Sequence, residues 1–393
     1  VMSSEAAPES YEPKAILLTG GCGFIGSHVL DKLLAELPPT VTVVNLDALE
    51  SVASLKNTEA ASKRPNYHFE NGRIEDASFV NRVIKRYNID TIMHFAAESH
   101  VDKSFGNSFS FTRTNVFGTH VLLEAARLHQ KRVRRFIHVS TDEVYGEGDD
   151  DGDSVPSRTV LRPTNPYAAT KAAAEMLVHA YMVSYKLPCI ITRGNNVYGP
   201  RQFPEKLIPK FTLQILNDLK CTLHGDGTPR RSYMHVFDVA NAFLTILRKG
   251  LVGHIYNIGT KREIMNKDVT RGIVEHLKGD EQAKQWEDYV VFTEDRPWND
   301  SRYNIDSSAL QALGWKEEVD FESGLKSTID WYVDHLDYWE PVVYETILRA
   351  AFPVKIRSVS MSSAASADLY DSDRALEQTE PTPVPAPEGG EGK

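Results

Sequence analysis

Apolar positions in the first two hundred residues come in short unbroken runs that alternate with longer stretches of helical spacing. "AILLT" (15–19) reads as a buried strand and "FIGSHVLDKLLAEL" (24–37) as the amphipathic helix after it. The pairing repeats. "TVTVVNL" (40–46) is a strand, "FVNRVIKRYN" (79–88) a helix and "TIMHFAA" (91–97) a strand. Helix "NVFGTHVLLEAARLHQ" (115–130), strand "RRFIHVS" (134–140), Ala-rich helix "AATKAAAEMLVHAYMVSY" (168–185) and strand "CIITRG" (189–194) continue it. Strands buried on both faces lose their alternation, and the helices between them supply the crossovers that parallel pairing needs. The pattern predicts an α/β fold, a Rossmann-type doubly wound parallel sheet, over residues 14–200.

Beyond residue 200, Pro and Gly punctuation thickens in "GPRQFPEKLIP", "HGDGTPRR" and "EDRPWND". This predicts a smaller C-terminal substrate-binding α/β domain over 201–355, with segments near 230–258, including "HVFDVANAFLTIL", returning to the first domain. Residues 1–13 read as a flexible arm. The Ser-, Ala-, Pro- and Glu-rich stretch 356–393 buries too little apolar surface to offset its ordering entropy and reads as a disordered tail.

Composition narrows the function. The net charge of −10 disfavours nucleic acid and anionic lipid as partners, while a local basic site can still take an anionic substrate. Three scattered cysteines, Cys22, Cys189 and Cys221, suit buried reduced thiols better than a disulfide frame or a metal site. No apolar run reaches the length of a membrane span, and the opening residues lack the basic and apolar regions of a secretory signal. A cytoplasmic protein with no membrane partner and no metal is expected.

Candidate chemistry begins at Gly20-x-x-Gly23-x-x-Gly26, after a strand and opening a helix. Gly20 permits the tight turn, Gly23 lets backbone approach a pyrophosphate, and Gly26 lets helix pack on strand. The helix N-terminus offers free N–H groups to the phosphates. Asp47, just after the next strand, would accept hydrogen bonds from ribose hydroxyls and repel a 2′-phosphate, which favours NAD over NADP. A glycine-rich turn without a ligand is the competing reading, and the strand–turn–helix context weighs against it.

In "NPYAATK", Tyr167 and Lys171 stand at i and i+4 on one helix face. A nearby ammonium and a nicotinamide cation would both lower the phenol pKa from its usual value near 10. The bland alternative is a core aromatic beside a solvated Lys. "HVSTDEVYG" tips the balance by placing Ser140, Thr141, Asp142 and Glu143 at the C-terminal end of a strand, where open parallel sheets bind ligands. Successive strand residues face opposite ways, so both carboxylates reach one substrate only if the chain leaves strand geometry there. Crowding would split their pKa values into one acid and one base.

Together "TGGCGFIGS", Asp47, "HFAAESHVD", "STDEVYG", "NPYAATKAAAE", "NNVYGP" and "PEKLIP" resemble the extended short-chain dehydrogenase/reductase family over residues 14–335. Within it they resemble the nucleoside-diphosphate-glucose 4,6-dehydratases. The Thr-Asp-Glu triplet is the specific part, because epimerases of the group usually carry Ser or Thr there without the acidic pair. The resemblance implies a lyase acting on dTDP-glucose or UDP-glucose. Oxidation at carbon 4, loss of water across carbons 5 and 6 and hydride return to carbon 6 would follow on a tightly bound, recycled NAD. Tyr167 would take the 4-hydroxyl proton, Thr141 would bond that hydroxyl, Glu143 would be the carbon-5 base and Asp142 the acid for the 6-hydroxyl. Lys171 would hold the ribose and tune Tyr167.

By the same resemblance, Phe24, Ile25, Ile74, Ala96, Ala97, Ser99 and Thr114 join Gly20, Gly23, Gly26 and Asp47 around the cofactor. Ser99, Asn196, Glu205, Lys206, Arg231, Asn266 and Tyr303 would meet the nucleotide sugar, with Arg231 on the diphosphate. One departure is "NGRIEDAS", where Arg73 replaces the adenine-binding Asp usual in the family. Arg73 stacking on the ring, or Glu75 or Asp76 substituting, are the readings left open. A homodimer through "NVFGTHVLLEAARLHQ" and the Ala-rich helix is also implied. The competing functions are a sugar-nucleotide epimerase or decarboxylase, and a non-catalytic NAD-sensing protein.

Overall fold

Strands among the residues described by the computed structural model (10–146, 160–294 and 305–340) number twelve. In chain order they are β1 (Ala15–Thr19), β2 (Thr42–Asp47), β3 (Tyr67–Asn71), β4 (Thr91–His94), β5 (Arg135–Thr141) and β6 (Cys189–Gly194). Then come β7 (Asn196–Tyr198), β8 (Cys221–His224), β9 (Arg230–His235), β10 (Ile255–Ile258), β11 (Glu263–Met265) and β12 (Val290–Thr293). Seven form one sheet in the order β10-β6-β5-β4-β1-β2-β3, every pairing parallel. Strand order reverses between β1 and β4. That switch point opens the crevice beyond the strand C-termini where such sheets bind ligands.

Two apolar layers explain why the strands read as unbroken hydrophobic runs. Ile16, Leu18, Val43, Met93 and Ile137 pack on one face against the helices Phe24–Glu36 and Val236–Lys249. Leu17, Val44, Ile92, Phe136 and Ile191 pack on the other against Ala77–Arg86, Thr119–Leu128 and Pro166–Tyr185. Edge strand β3 has no apolar run, because most of its residues are only half-buried, and the hydrophobic pattern passes over it.

The chain leaves the large sheet at Asn195. β7 pairs with β9, and β9 with β11, in a separate three-stranded sheet, while β8 and β12 form a two-stranded one. So the return to the large sheet is carried by helix Val236–Lys249 and β10, with β9 on the smaller side. A third apolar cluster, including Tyr198, Phe211, Ile273 and Ile329, lies under these smaller sheets. Within the expected N-terminal arm, Tyr11 is anchored: its amide donates to the Arg248 carbonyl at 2.7 Å and its hydroxyl meets Thr91 at 2.8 Å. Residues 1–9, residues 147–159 and the expected tail 356–393 lie outside the described residues. All three cysteines are buried and unpaired. Among the described residues no helix is long and apolar enough to cross a membrane.

Candidate active site

The loop after β1 turns on Gly20, whose φ of +77° lies in the left-handed region that side-chain-bearing residues avoid. A Cβ there would stand 2.7 Å from the Ala96 amide nitrogen, so the loops after β1 and β4 meet through bare backbone. A Cβ on Gly26 would collide with the Gly20 carbonyl oxygen, which lets helix Phe24–Glu36 begin hard against the strand end. Gly23 is that helix's N-cap and brings no capping side chain, leaving the first-turn amides of Phe24 and Ile25 to an anion. Asp47 closes β2, buried, its carboxylate accepting from the Cys22 and Leu49 amides, each at 2.8 Å. Burial raises its pKa. It therefore fastens the glycine loop to β2. A bare-backbone cradle, an uncapped helix end and a carboxylate on the adjoining strand fit a dinucleotide.

Arg73, Glu75 and Asp76 all have partners within the protein. The Arg73 guanidinium pairs with Glu50 and, at 3.2 Å, with Glu75. Asp76 is taken as the N-cap of helix Ala77–Arg86, accepting from the Phe79 amide at 2.9 Å. Thr114 donates to Glu75 at 3.0 Å, and Ile74 is buried under Gly118. Asn115, beside Thr114, was not singled out. It is buried, donates to the Glu98 carbonyl at 3.0 Å and to Thr170 at 2.9 Å, and accepts the Glu98 amide at 2.8 Å. It thereby sets the loop carrying Ala96, Ala97 and Ser99. Asn115 lies in a π-helix over Thr112–Gly118, and nothing in the polar run Thr112–Asn115 marks it out.

At the end of β5 the chain does leave strand geometry. Thr141 caps a 3₁₀ turn, Asp142–Tyr145, its hydroxyl accepting the Glu143 amide at 3.3 Å. The turn brings both carboxylates to one side. Asp142 is buried, 4% exposed, and accepts from Asn195 at 2.6 Å and from the Thr141 hydroxyl at 3.2 Å. Burial pushes its pKa up to about 7, reinforced by the Glu143 charge and opposed by Asn195, Thr141 and Arg231. Glu143 accepts from Asn165 at 2.8 Å. Asn165 also caps helix Pro166–Tyr185 through the Ala168 amide at 2.8 Å. Neither Asn165 nor Asn195 stood out in the sequence, although both flank motifs that did.

Tyr167 and Lys171 lie buried on the first turns of that helix. In the protein alone the phenol pKa is raised. Burial, then the Glu143 and Asp142 charges, hold Tyr167 well above its usual value, against a hydrogen bond with Thr141. The Lys171 ammonium donates instead to the Val139 carbonyl at 2.6 Å. Burial brings its pKa down to about 8, opposed by Glu175. Glu175 forms a buried two-pronged pair with Arg193 at 2.6 and 3.1 Å.

The residues expected on the sugar nucleotide are spread around this centre. Ser99 is exposed on the loop after β4. Glu205 meets His100 at 3.3 Å and Lys103 at 3.5 Å, and Lys206 caps helix Leu207–Leu216. Because the Lys103 amide donates to His100 Nδ1, the His100 proton toward Glu205 sits on Nε2. Arg231, on β9, is near enough for its charge to act on Asp142. Asn266 accepts from Tyr233 at 3.3 Å. Asn196 is exposed at the start of β7, whereas its neighbour Asn195 makes the acid's contact. Tyr303 lies outside the described residues.

The chain is similar to known proteins in sequence and in fold. The family described as GDP-mannose 4,6 dehydratase matches residues 17–328. An Arabidopsis thaliana trifunctional UDP-glucose 4,6-dehydratase/3,5-epimerase/reductase is 51% identical over 336 residues, 85% of this chain and 49% of that protein. The chain thus spans about half the length of that relative. Human dTDP-D-glucose 4,6-dehydratase is 45% identical over 329 residues, 84% of this chain and 93% of that one. The crystal structure of a Streptomyces venezuelae dTDP-glucose 4,6-dehydratase with NAD bound superposes with a TM-score of 0.77 at 38% identity, covering 84% of this chain and 99% of that one. With the Thr-Asp-Glu turn, the Tyr-Lys helix and the glycine loop converging at one crevice, the chain belongs to the nucleotide-sugar 4,6-dehydratases of the extended short-chain dehydrogenase/reductase family.

Proposed function

We propose that the protein is a nucleoside-diphosphate-glucose 4,6-dehydratase that converts its substrate to the 4-keto-6-deoxy sugar nucleotide and water. The observation that carries this reading is the carboxylate pair at the end of β5, with Asp142 buried against Asn195 and Glu143 held by Asn165. Asp142, with a pKa near 7, holds a proton at neutral pH for the departing 6-hydroxyl. Glu143, presented by Asn165, takes the carbon-5 proton. NAD bound on the glycine loop supplies the hydride acceptor for carbon 4 and the donor for carbon 6. Tyr167, bonded to Thr141, receives the 4-hydroxyl proton. Its raised pKa in the protein alone means that this transfer draws on the positive nicotinamide and the Lys171 ammonium.

Two nucleotides compete for the site. The greater identity to the UDP-glucose relative, 51% against 45% for the human dTDP-glucose relative, favours UDP-glucose. A paired assay with UDP-glucose and dTDP-glucose on purified protein, without added NAD, tests the reading. Turnover of either confirms it and names the base. Turnover of neither, even with NAD supplied, refutes it.

The assembly in this reading is a homodimer. Phe109, Phe117, Leu128, Met176 and Val183 are more than half exposed on the segments Ser108–Leu128 and Pro166–Tyr185. An apolar face of that extent on two adjoining helices suits a second copy of the same face. Sedimentation of a monomer would refute it. A reducing cytoplasm suits the three buried thiols.

A further inference from the structure

Asn57 stands behind the glycine loop, 1% exposed, and three distant segments converge on it. Its side-chain amide donates to the Cys22 carbonyl, inside the loop, at 2.7 Å. Its side-chain oxygen accepts the Tyr338 hydroxyl at 2.8 Å. Its backbone carbonyl accepts the Arg201 guanidinium at 2.7 Å. The Cys22 carbonyl decides the orientation: it can only accept, so Nδ2 faces it and Oδ1 turns to the Tyr338 hydroxyl.

Each partner is itself held. Tyr338 packs against Trp331 and Trp339 with ring centres 4.8 and 5.3 Å away, and Lys56 donates to its carbonyl at 2.8 Å. Tyr332, on the helix leading to Tyr338, bonds the Gln202 carbonyl. Arg201 also pairs with Asp31 of the helix after the glycine loop at 2.8 Å, and its own φ is +67°. A non-glycine residue keeps that conformation only where its surroundings over-determine it. Arg201 and Gln202 begin the segment that continues into Glu205 and Lys206.

We infer that Asn57 is a positioning residue for the dinucleotide, locking the Cys22 carbonyl to the 200–206 segment and to the chain around Tyr338 so that NAD is retained between turnovers. A glycine-rich loop is the most costly kind to order, and one ordered in advance binds without that cost. This inference rests on the NAD-recycling reading above.

The test uses the full chain with Asn57→Asp and Tyr338→Phe. Asn57→Asp keeps an acceptor for Tyr338 but sets an oxygen against the Cys22 carbonyl. Tyr338→Phe removes only the hydroxyl and leaves the ring stack. NAD carried through gel filtration is measured after acid release, and NAD affinity by titration, with thermal unfolding in parallel. Affinity is expected to weaken about five- to fiftyfold in Asn57→Asp and about two- to tenfold in Tyr338→Phe. Turnover lost on desalting is expected to return when NAD is added. Folded variants that retain NAD like wild type overturn the inference, as does lost turnover that added NAD leaves unrestored. If Asn57→Asp does not fold, Tyr338→Phe decides alone. Wild type that neither carries nor takes up NAD overturns the recycling reading with it. Wild type that carries NAD beside variants equally loaded overturns the inference alone.

Discussion

Asn195 donates its side-chain amide to Asp142 at 2.6 Å, from the residue joining β6 to β7 to the residue just past β5. Its own side-chain oxygen accepts the Thr260 amide at 3.1 Å, which leaves the amide group no other way to face. This bond favours the ionised form of an acid that burial has pushed up to about 7. Replacing Asn195 with Ala removes that pull, so Asp142 stays protonated to higher pH. The alkaline limb of the kcat profile should move up by about 0.5–1 pH unit. A limb that stays put would mean another group sets it.

Asp142→Asn tests the acid itself. kcat should fall about 10²- to 10⁴-fold, measured with the preferred nucleotide sugar. Stability should move the other way. The folded-state pKa lies above the unfolded value of 3.8, so between those values the folded protein binds the extra proton and wild type loses stability as pH rises. The variant should match wild type near pH 4 and exceed it by about 1–4 kcal/mol above pH 7 in urea titrations.

Glu143→Gln keeps a partner for Asn165 but removes the base. Deuterium incorporation at carbon 5 in D₂O should drop with turnover, by about 10²- to 10⁴-fold. Exchange that persists in the variant would assign the base elsewhere.

Gly26→Ala places a methyl against the Gly20 carbonyl, and backbone cannot yield as a flexible side chain would. NAD content after purification should fall severalfold, with a loss of stability of about 1–3 kcal/mol from overpacking. Unchanged NAD content would show that the helix start tolerates a shift.

Arg73→Ala leaves Glu50 and Glu75 without their shared cation. NAD affinity should weaken about three- to tenfold, and more so at low salt, because the pair with Glu50 is exposed and screened. Equal affinity in titrations at two ionic strengths would exclude an electrostatic part for Arg73.

Much of the fold was legible because burial on both faces writes unbroken apolar runs, as in β1 and β2. β3 was not, since an edge strand with half-buried residues carries no such run. The glycine loop and the Thr141–Asp142–Glu143 turn were legible because their chemistry is local. The raised pKa of Tyr167 in the protein alone was not legible, because it comes from burial, and burial is not written at the residue.

The sequence by itself determined which reactive groups the chain has and the local element each rides on, because the periods of strand and helix are set within a few residues. Only the tertiary structure decided which of them meet. Asn195 reaches Asp142 across 53 residues and Tyr338 reaches Asn57 across 281. Those meetings follow from the order β10-β6-β5-β4-β1-β2-β3 and from the exit of the chain at Asn195. Side-chain spacing carries no record of strand order, which is settled by how the apolar faces of whole elements pack together.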